Sequence, residues 1–562
     1  MMKKGGEILL EGLLHNGVQD IFGYPGGSVI PLYDTLLKYP QLRHILVRHE
    51  QGAAFAANGY SRASGKVGVC LATSGPGATN LVTGVADAMM DSVPMIVITG
   101  QVFAHLIGTD AFQETDAIGI MMPVVKHSYE VTQAEDLAEV IQEAFHIAST
   151  GRPGPVHIDI TKNAFLEQVE FDGFHDEINI PGYKPTIIPN APQIKKAVEV
   201  IAESKRPIAI VGHGALISGA SSEVIAFLEK ADIPCVQTLL GLSTVYSGHP
   251  LDLGLLGMHG QVYANNAVHN ADLIISIGSR FDDRITGRLK DFHRQAKIIH
   301  FDIDPAEVGK NVPAHIPVVG DLKKSIEAVL KLLPVFHHTA WKEQIEQWKE
   351  EFAIPKVHAC HTERCINAMR AWDVIEALAE ETDGDIVIVP DVGQHQMWVA
   401  QGFPYKKPYS HLYSGGLGSM GFSLPAAMGA AVACPEKEVW SISGDGGFQM
   451  NSQELMTIVQ EKIPLKIGIF NNNFLGMVRQ WQELFQDKAY SFVNMQNPDF
   501  VKLAEAYGIP AFRAETKKEA HEAIKKARAI NGPALIEFKI AMEENVFPMV
   551  PQGASLGETR VE

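Results

Sequence analysis

Along the chain, short apolar runs that stop at a glycine alternate with stretches whose apolar residues recur every three or four positions. KVGVCLATSGPG, MIVITG, RPIAIVGHG and KEVWSISGDGG are runs of the first kind, and LKIGIF is a similar run that stops at Asn471; EILLEGLL, DLKKSIEAVLKLL and SSEVIAFLEKA belong to the second. Continuous apolar runs read as strands buried on both faces, and the intervening periods as helices. The pattern therefore predicts α/β domains with doubly wound parallel sheets. Two stretches break the rhythm. One, FDGFHDEINIPGYKPTIIPNAP, covers roughly 170–190 and is rich in Pro, Gly and Asp; the other is a polar segment at roughly 335–368. They divide the chain into a first domain over 1–168, a middle domain over 190–335, a last domain over 370–545 and a tail over 546–562.

The first and last domains share a faint repeat. A small-residue helix, GAAFAANGYSRASG, leads to a strand ending SGPG, then a helix ending DSVP and the strand MIVITG. In the last domain GFSLPAAMGAAVAC leads to a strand ending SGDGG, then a helix ending QEKIP and the strand LKIGIFN. Gly77 and Pro94 lie 17 positions apart, Gly446 and Pro464 18 apart. The shared rhythm predicts similar topology in these two domains, on either side of a different middle one.

Composition narrows the class. With 562 residues, three domains of ordinary size are expected. The net charge is -18 with no basic block, which argues against nucleic acid as a partner. Five cysteines (Cys70, Cys235, Cys360, Cys365, Cys434), mostly in apolar runs, suggest a reducing compartment without a disulfide framework. MMKKGGEILLEGLL starts basic, but Glu7 and Glu11 interrupt its apolar residues, so it reads as an amphipathic helix and not a signal peptide. No apolar stretch is long enough to span a bilayer. A cytoplasmic protein is the expectation. HACHTERC at 358–365 holds metal-ligand residue types, but Cys-x₄-Cys is not a usual zinc spacing, and polar linker composition is the simpler reading.

The chemistry concentrates at strand ends. In SISGDGGFQMNSQEL, glycines turn the chain between strand and helix, where backbone N–H groups attract phosphate. Asp445 would repel phosphate unless a cation lies between them. The next strand ends in Asn471-Asn472-Asn473, on the same carboxyl edge of a parallel sheet. A carboxylate and an amide oxygen there suit Mg²⁺ carrying diphosphate. Gly, Asp and Asn also favour plain turns. The 27-residue spacing of Asp445 and Asn472, with one helix and one strand between, is what singles the pair out.

This arrangement resembles the diphosphate–Mg²⁺ signature of thiamine diphosphate enzymes. By that resemblance Asp445, Asn472 and the backbone carbonyl of Phe474 are metal ligands, and Gly444 and Gly446 border the diphosphate. Such an enzyme needs a carboxylate against the aminopyrimidine. Glu50, in ILVRHEQGAAFAANGY, stands where a strand gives way to a helix. Capping that helix is its alternative role. The resemblance places the equivalent glutamate in a partner subunit's site, which implies at least a homodimer. DVGQHQMW and SGGLGSMGFSLPAA are similar to the pyrimidine-side pocket, with Gly393, Gln394, His395, Gly418 and Met420 at cofactor positions.

In the middle domain, a nicotinamide-binding fingerprint would need a third glycine where Ile217 stands, so a dehydrogenase is disfavoured. GYPGGSVIPLYD, AFQETD, SGRPGPVHID, LGMHG, RFDDRITG, GMVRQWQ and PMVPQGASL complete a set that resembles the acetohydroxyacid synthase (anabolic acetolactate synthase) family over nearly the whole chain. The resemblance implies FAD in the middle domain, at Arg152, Gly212, Gly214, Met258, His259, Gly260, Arg280, Asp302 and Asp321. Asp302 and Asp321 could equally cap helices. It implies decarboxylation of pyruvate on thiamine diphosphate and transfer of the hydroxyethyl unit to a second 2-keto acid. The product is 2-acetolactate from pyruvate or 2-aceto-2-hydroxybutyrate from 2-oxobutyrate, the first common step to the branched-chain amino acids. Arg284 is matched to the acceptor carboxylate, Trp481 to the acceptor's alkyl group, and Gly27, Phe112, Gln113, Lys162 and Met477 to the substrate channel. Asp282 and Asp283 would orient the two arginines and cap their turn. A homodimer or homotetramer and a small regulatory subunit are also implied. Ser28 stands where the family has alanine, Arg479 falls at a variable position, and FQDKAYSF departs from the usual glycine-containing loop. The alternatives are a flavin-free catabolic acetolactate synthase, an FAD-using pyruvate oxidase and a non-catalytic nucleotide scaffold.

Overall fold

The computed structural model describes all residues except 176–177, 293–294, 354–367 and 562; HACHTERC lies outside the described residues. Three parallel sheets organise the chain, each with apolar clusters on both faces. The first sheet runs, edge to edge, Arg43–Leu46, Asp20–Gly23, Gly68–Ala72, Met95–Gln101, Pro155–Thr161, His127–Val131. The third runs Val387–Pro390, Val439–Gly444, Lys466–Asn471, Ala534–Lys539, Ala511–Ala514. Remove the edge strand Arg43–Leu46 and the two sheets trace one path, in which the fifth strand of the chain sits inside the fourth. The faint sequence repeat is thus a repeat of topology. The amphipathic start is the helix Gly5–His15, with Ile8, Leu9, Leu10 and Leu13 buried.

The repeated units pack on each other. Helix Glu50–Ser64 precedes the strand Gly68–Ala72, and Ser423–Ala433 precedes Val439–Gly444 in the same relative place. Their small residues let the two helices cross almost backbone to backbone. A Cβ added at Gly59 would sit 2.0 Å from the Ala426 carbonyl oxygen, and one at Gly429 1.9 Å from that of Ala56. Both sheets contribute to the one apolar cluster around this crossing. Gly59→Ala should therefore cost more than the ~1–3 kcal/mol of ordinary overpacking. A clearly lowered melting temperature by circular dichroism is expected; an unchanged one would refute so close a crossing.

The middle sheet, numbered in chain order from Pro207–Val211, has strand order 3-2-1-4-5-6, the order of dinucleotide-binding folds. The strands on either side of its switch point, Pro207–Val211 and Leu273–Ile277, both end in glycine turns, and these turns touch. A Cβ at Gly212 would meet the Gly278 carbonyl oxygen at 2.3 Å. The middle domain also reaches past residue 335. Within the polar stretch after it, the helix Thr339–Glu351 buries Trp341 and Ile345, and the Trp341 indole donates to the Pro207 carbonyl at 3.1 Å. Its aromatic and aliphatic residues at 341, 345 and 348 make a helical stripe that overall polarity hid. The tail folds back onto the middle domain: the Val550 amide donates to Met258 O at 2.7 Å, and Arg288 N to Ala554 O at 2.9 Å. Among the described residues no helix is long and apolar enough to cross a membrane.

Candidate active site

The carboxyl edges of the middle and last sheets face one cavity of about 1310 Å³. From the last domain it is lined by Gly393, Gln394, His395, Gly418, Met420, Gly444, Asp445, Gly446, Asn472, Phe474, Met477 and Trp481. Arg152 comes from the first domain, and Gly214, Met258, His259, Arg280, Arg284, Asp302 and Asp321 from the middle one. Gly212 and Gly260 do not line it. Each is held against backbone: Gly212 packs on the Gly278 turn, and a Cβ at Gly260 would lie 2.5 Å from Gly257 N.

The diphosphate end is built around a buried carboxylate. Strand Val439–Gly444 stops at Gly444, and helix Asp445–Met450 begins at once. Asp445 accepts from the Asn497 side-chain amide at 2.7 Å and from Gly446 N. Burial pushes its carboxyl up to about 6, against the pull of hydrogen bonds from Asn497, Gly446 and Asn473. A buried carboxylate beside the Asn472 amide and open glycine backbone fits a hard divalent ion bearing phosphate. Asn497 went unnoticed in the sequence, although it touches Asn471, Asn473 and Asp445 together. Its signal is an Asn-Pro turn 25 residues after Asn472, which no spacing rule selects.

Neighbouring groups fix this end rather than reach into it. His395 is buried and held well below its ordinary value, at about 3, by desolvation. Its neutral ring accepts the Gly444 N–H at 3.2 Å and so braces the diphosphate turn. Gln394 donates to Gln480 at 2.8 Å and to Glu544 O at 2.9 Å, and accepts from Asn472 at 3.4 Å. Asp391 accepts Gly421 N–H at 2.9 Å and anchors the turn after Met420. Arg479 is fully buried, bonded to Glu483, Glu544 O and Asn545. With Gln480, which exchanges bonds with the Val546 backbone at 3.0 and 2.8 Å, it fastens the helix Gly476–Phe485 to the segment leading into the tail. That helix carries Met477 and Trp481.

On the middle-domain side, Asp302 accepts Asp304 N at 2.9 Å and Asp321 accepts Lys324 N at 2.9 Å, so both cap local turns while lining the cavity. Asp282 caps the short helix Asp283–Thr286 by accepting Arg284 N at 3.0 Å, and lies 3.7 Å from the Arg280 guanidinium. Asp283 lies 3.8 Å from Arg284, whose side chain stays more than half exposed. RFDDR is thus a turn that points two arginines into one cavity.

Glu50, Gly27, Phe112, Gln113 and Lys162 do not line that cavity. They gather at the carboxyl edge of the first sheet, on the turns after its strands. Glu50 opens the helix Glu50–Ser64 and accepts from Asn80 at 2.9 Å. A Cβ at Gly77 would stand 3.5 Å from its carboxylate. Gln113 has a φ of 60°, and its backbone abuts Gly75. Ser28 bonds the Thr73 hydroxyl at 2.9 Å, Gly27 faces open space, and Phe112 is 88% exposed. Lys162 lies over the Phe103 ring at 5.7 Å. The chain therefore carries two half-sites, an exposed one around Glu50 and a cavity around Asp445. Sequence reasoning missed Glu454, which links them. Its buried carboxylate, pushed up to about 7 by desolvation, accepts Arg48 N at 3.0 Å and His49 N at 3.1 Å, immediately before Glu50.

Three domain models match in order: thiamine pyrophosphate enzyme N-terminal TPP binding domain over 3–120, central domain over 194–329 and C-terminal TPP binding domain over 391–538. Fold and site define a thiamine pyrophosphate enzyme. The chain is 46% identical over 561 residues to the acetolactate synthase large subunit of Mycobacterium tuberculosis, covering 99% of this chain and 91% of that one. It is 48% identical to a probable acetolactate synthase large subunit of Methanocaldococcus jannaschii, covering 98% and 94%. It is 45% identical to the chloroplastic acetolactate synthase 2 of Zea mays, covering 98% and 88%. The chain belongs to the acetolactate synthase family.

Proposed function

We propose that this chain is an acetolactate synthase that decarboxylates pyruvate and joins the retained two-carbon unit to a second 2-keto acid, the first common step of branched-chain amino acid biosynthesis. The observation that carries the reading is the single cavity that opens a diphosphate turn at Asp445 and the paired arginines of RFDDR to each other. Thiamine diphosphate supplies the carbanion chemistry. Asp445, Asn472 and the Phe474 carbonyl would hold Mg²⁺ and through it the diphosphate. Gly418 and Met420 would border the pyrimidine, and Glu50 of a second copy would hold the proton on its ring nitrogen. Arg284 is free enough to pair with the acceptor carboxylate through its planar guanidinium. Trp481, half-buried on the adjacent helix, offers the acceptor's alkyl group an apolar wall.

FAD fits the middle-domain end. The strand order there is that of dinucleotide folds, and Arg152, Arg280, Asp302 and Asp321 supply phosphate and hydroxyl partners at its crevice. The cavity also exceeds the ~300–1,000 Å³ typical of a site for one small ligand. The exposed half-site around Glu50 calls for a second chain, so a homodimer or a higher symmetric assembly in the cytoplasm is the working form. The name of the relatives, large subunit, favours a small regulatory partner as well.

The test is an assay of acetolactate from pyruvate by the purified chain with thiamine diphosphate and Mg²⁺, with and without FAD. Product formation that depends on all three cofactors is expected. No product with all of them present refutes the reading. Anaerobic pyruvate should leave the flavin oxidised through many turnovers; stoichiometric bleaching would identify an oxidase instead.

A further inference from the structure

The helix Pro76–Met90 ends in a segment, Asp87–Ser92, that both halves of the cavity grip. On the thiamine side it holds the loop Ser414–Met420. Asp91 accepts Gly416 N at 2.7 Å through one carboxylate oxygen and Gly415 N at 3.0 Å through the other. Asp87 accepts the hydroxyls of Ser414 and, at 3.2 Å, Ser419. Both carboxylates are buried, and Arg62 serves them from the crossing helix: its guanidinium lies 2.7 Å from Asp91 and 3.6 Å from Asp87, and also donates to Tyr413 O at 2.9 Å.

On the flavin side the same segment is held by two backbone carbonyls and one hydroxyl. His213 Nδ1 donates to Asp91 O at 3.0 Å, Arg280 to Met90 O at 3.2 Å, and Arg152 to the Ser92 hydroxyl at 2.9 Å. Burial keeps His213 neutral, well below its usual value, so one ring nitrogen keeps its proton for this bond. Arg152, Arg280 and the His213–Gly214 turn are cavity residues, and so are Ser414, Gly418 and Met420. One six-residue segment therefore joins the two halves through its carbonyls on one side and its carboxylates on the other. At Asp91 the two carboxylate oxygens receive three N–H groups.

We propose that Asp87–Ser92 couples the two cofactor sites, with Asp91 as the positioning residue. Flavin seated against Arg152, Arg280 and the His213–Gly214 turn fixes the segment, and Asp91 passes that order to Gly415 and Gly416. The pyrimidine-side loop then meets thiamine diphosphate already ordered. By linkage the effect is reciprocal. The inference rests on FAD binding in the middle domain, as the proposed function has it.

The experiment measures binding and not turnover. Cofactor-free full-length chain is titrated by calorimetry with thiamine diphosphate and Mg²⁺, with and without saturating FAD, and with FAD alone. FAD should tighten thiamine diphosphate binding at least about fivefold in the parent protein. In Asp91→Asn, which offers one acceptor oxygen where two are used, the ratio should fall close to one. Asp232→Asn, which breaks a remote ion pair to Lys342, should leave the ratio intact whatever it does to stability. A merely structural role for Asp91 would shift both affinities and keep their ratio. Ser414→Ala removes the hydroxyl that donates to Asp87 and accepts Ser419 N at 2.8 Å, and should give an intermediate ratio, so the proposal stays testable if Asp91→Asn does not fold. Equal affinity with and without FAD in the parent, or parental coupling in Asp91→Asn and Ser414→Ala, overturns the coupling alone. No FAD binding to the parent overturns the flavin assignment and the coupling together.

Discussion

Glu50→Gln is expected to lower acetolactate formation by about 10²–10⁴-fold while leaving thiamine diphosphate bound. The structure separates these two properties. Glu50 sits on the first sheet's edge, away from the Asp445 cavity that would carry the diphosphate. Its carboxylate has a half-buried seat at a helix start. Glutamine fills the same volume and can still bond Asn80, so folding should persist. What it loses is the ability to share a proton with a ring nitrogen. Steady-state product assays beside calorimetric titration of the cofactor check this. Turnover within about threefold of the parent would refute the catalytic role. Glu454 belongs to the same argument. It holds the two amides just before Glu50 and comes from the segment that follows the diphosphate turn, so one domain sets the aim of the other's carboxylate.

How far these features could be read in advance depended on their range along the chain. Alternating apolar runs and helical periods are local, and they located the strands of three parallel sheets and the matched rhythm of the outer two. The Asp445–Asn472 pair was legible because strand, turn, helix and strand fix its geometry within one unit. Glu454, Asp391 and Asp91 were not legible. Each is a carboxylate inside an ordinary helix or turn, and its partner amides lie in another domain or 30 residues away, so no local pattern marks it. Asn497 is the same case at shorter range. The helix Thr339–Glu351 was hidden for another reason: only Trp341 and Ile345 are buried among thirteen residues, so the segment reads as polar linker. Gly212, placed beside a flavin by resemblance, has no side chain, and this lets two turns touch. Resemblance supplied roles for the residues at the substrate channel; geometry shows that Gly27, Phe112, Gln113 and Lys162 stand together and apart from the cavity, while Met477 lines it.

That separation gives Asp445→Asn a second use beyond its own effect. The substitution removes the one buried anionic ligand of the diphosphate turn while keeping its shape and its bond from Asn497. Loss of supporting partners around a metal already costs about 10–100-fold in affinity, so loss of the ligand charge should weaken thiamine diphosphate binding at fixed Mg²⁺ by at least about 100-fold. Glu50→Gln and Asp445→Asn chains should each be nearly inactive, for different reasons. If the site is built from Glu50 of one chain and Asp445 of another, a mixed dimer places both lesions in one site and leaves the other intact. Random reassociation of equal amounts as dimers should then restore about a quarter of the parental activity. If each chain completes its own site, every site keeps one lesion and mixing restores nothing. Buried Asp445 and exposed Phe112 favour the first outcome, because an exposed half-site gains its water-free surroundings when another copy covers it.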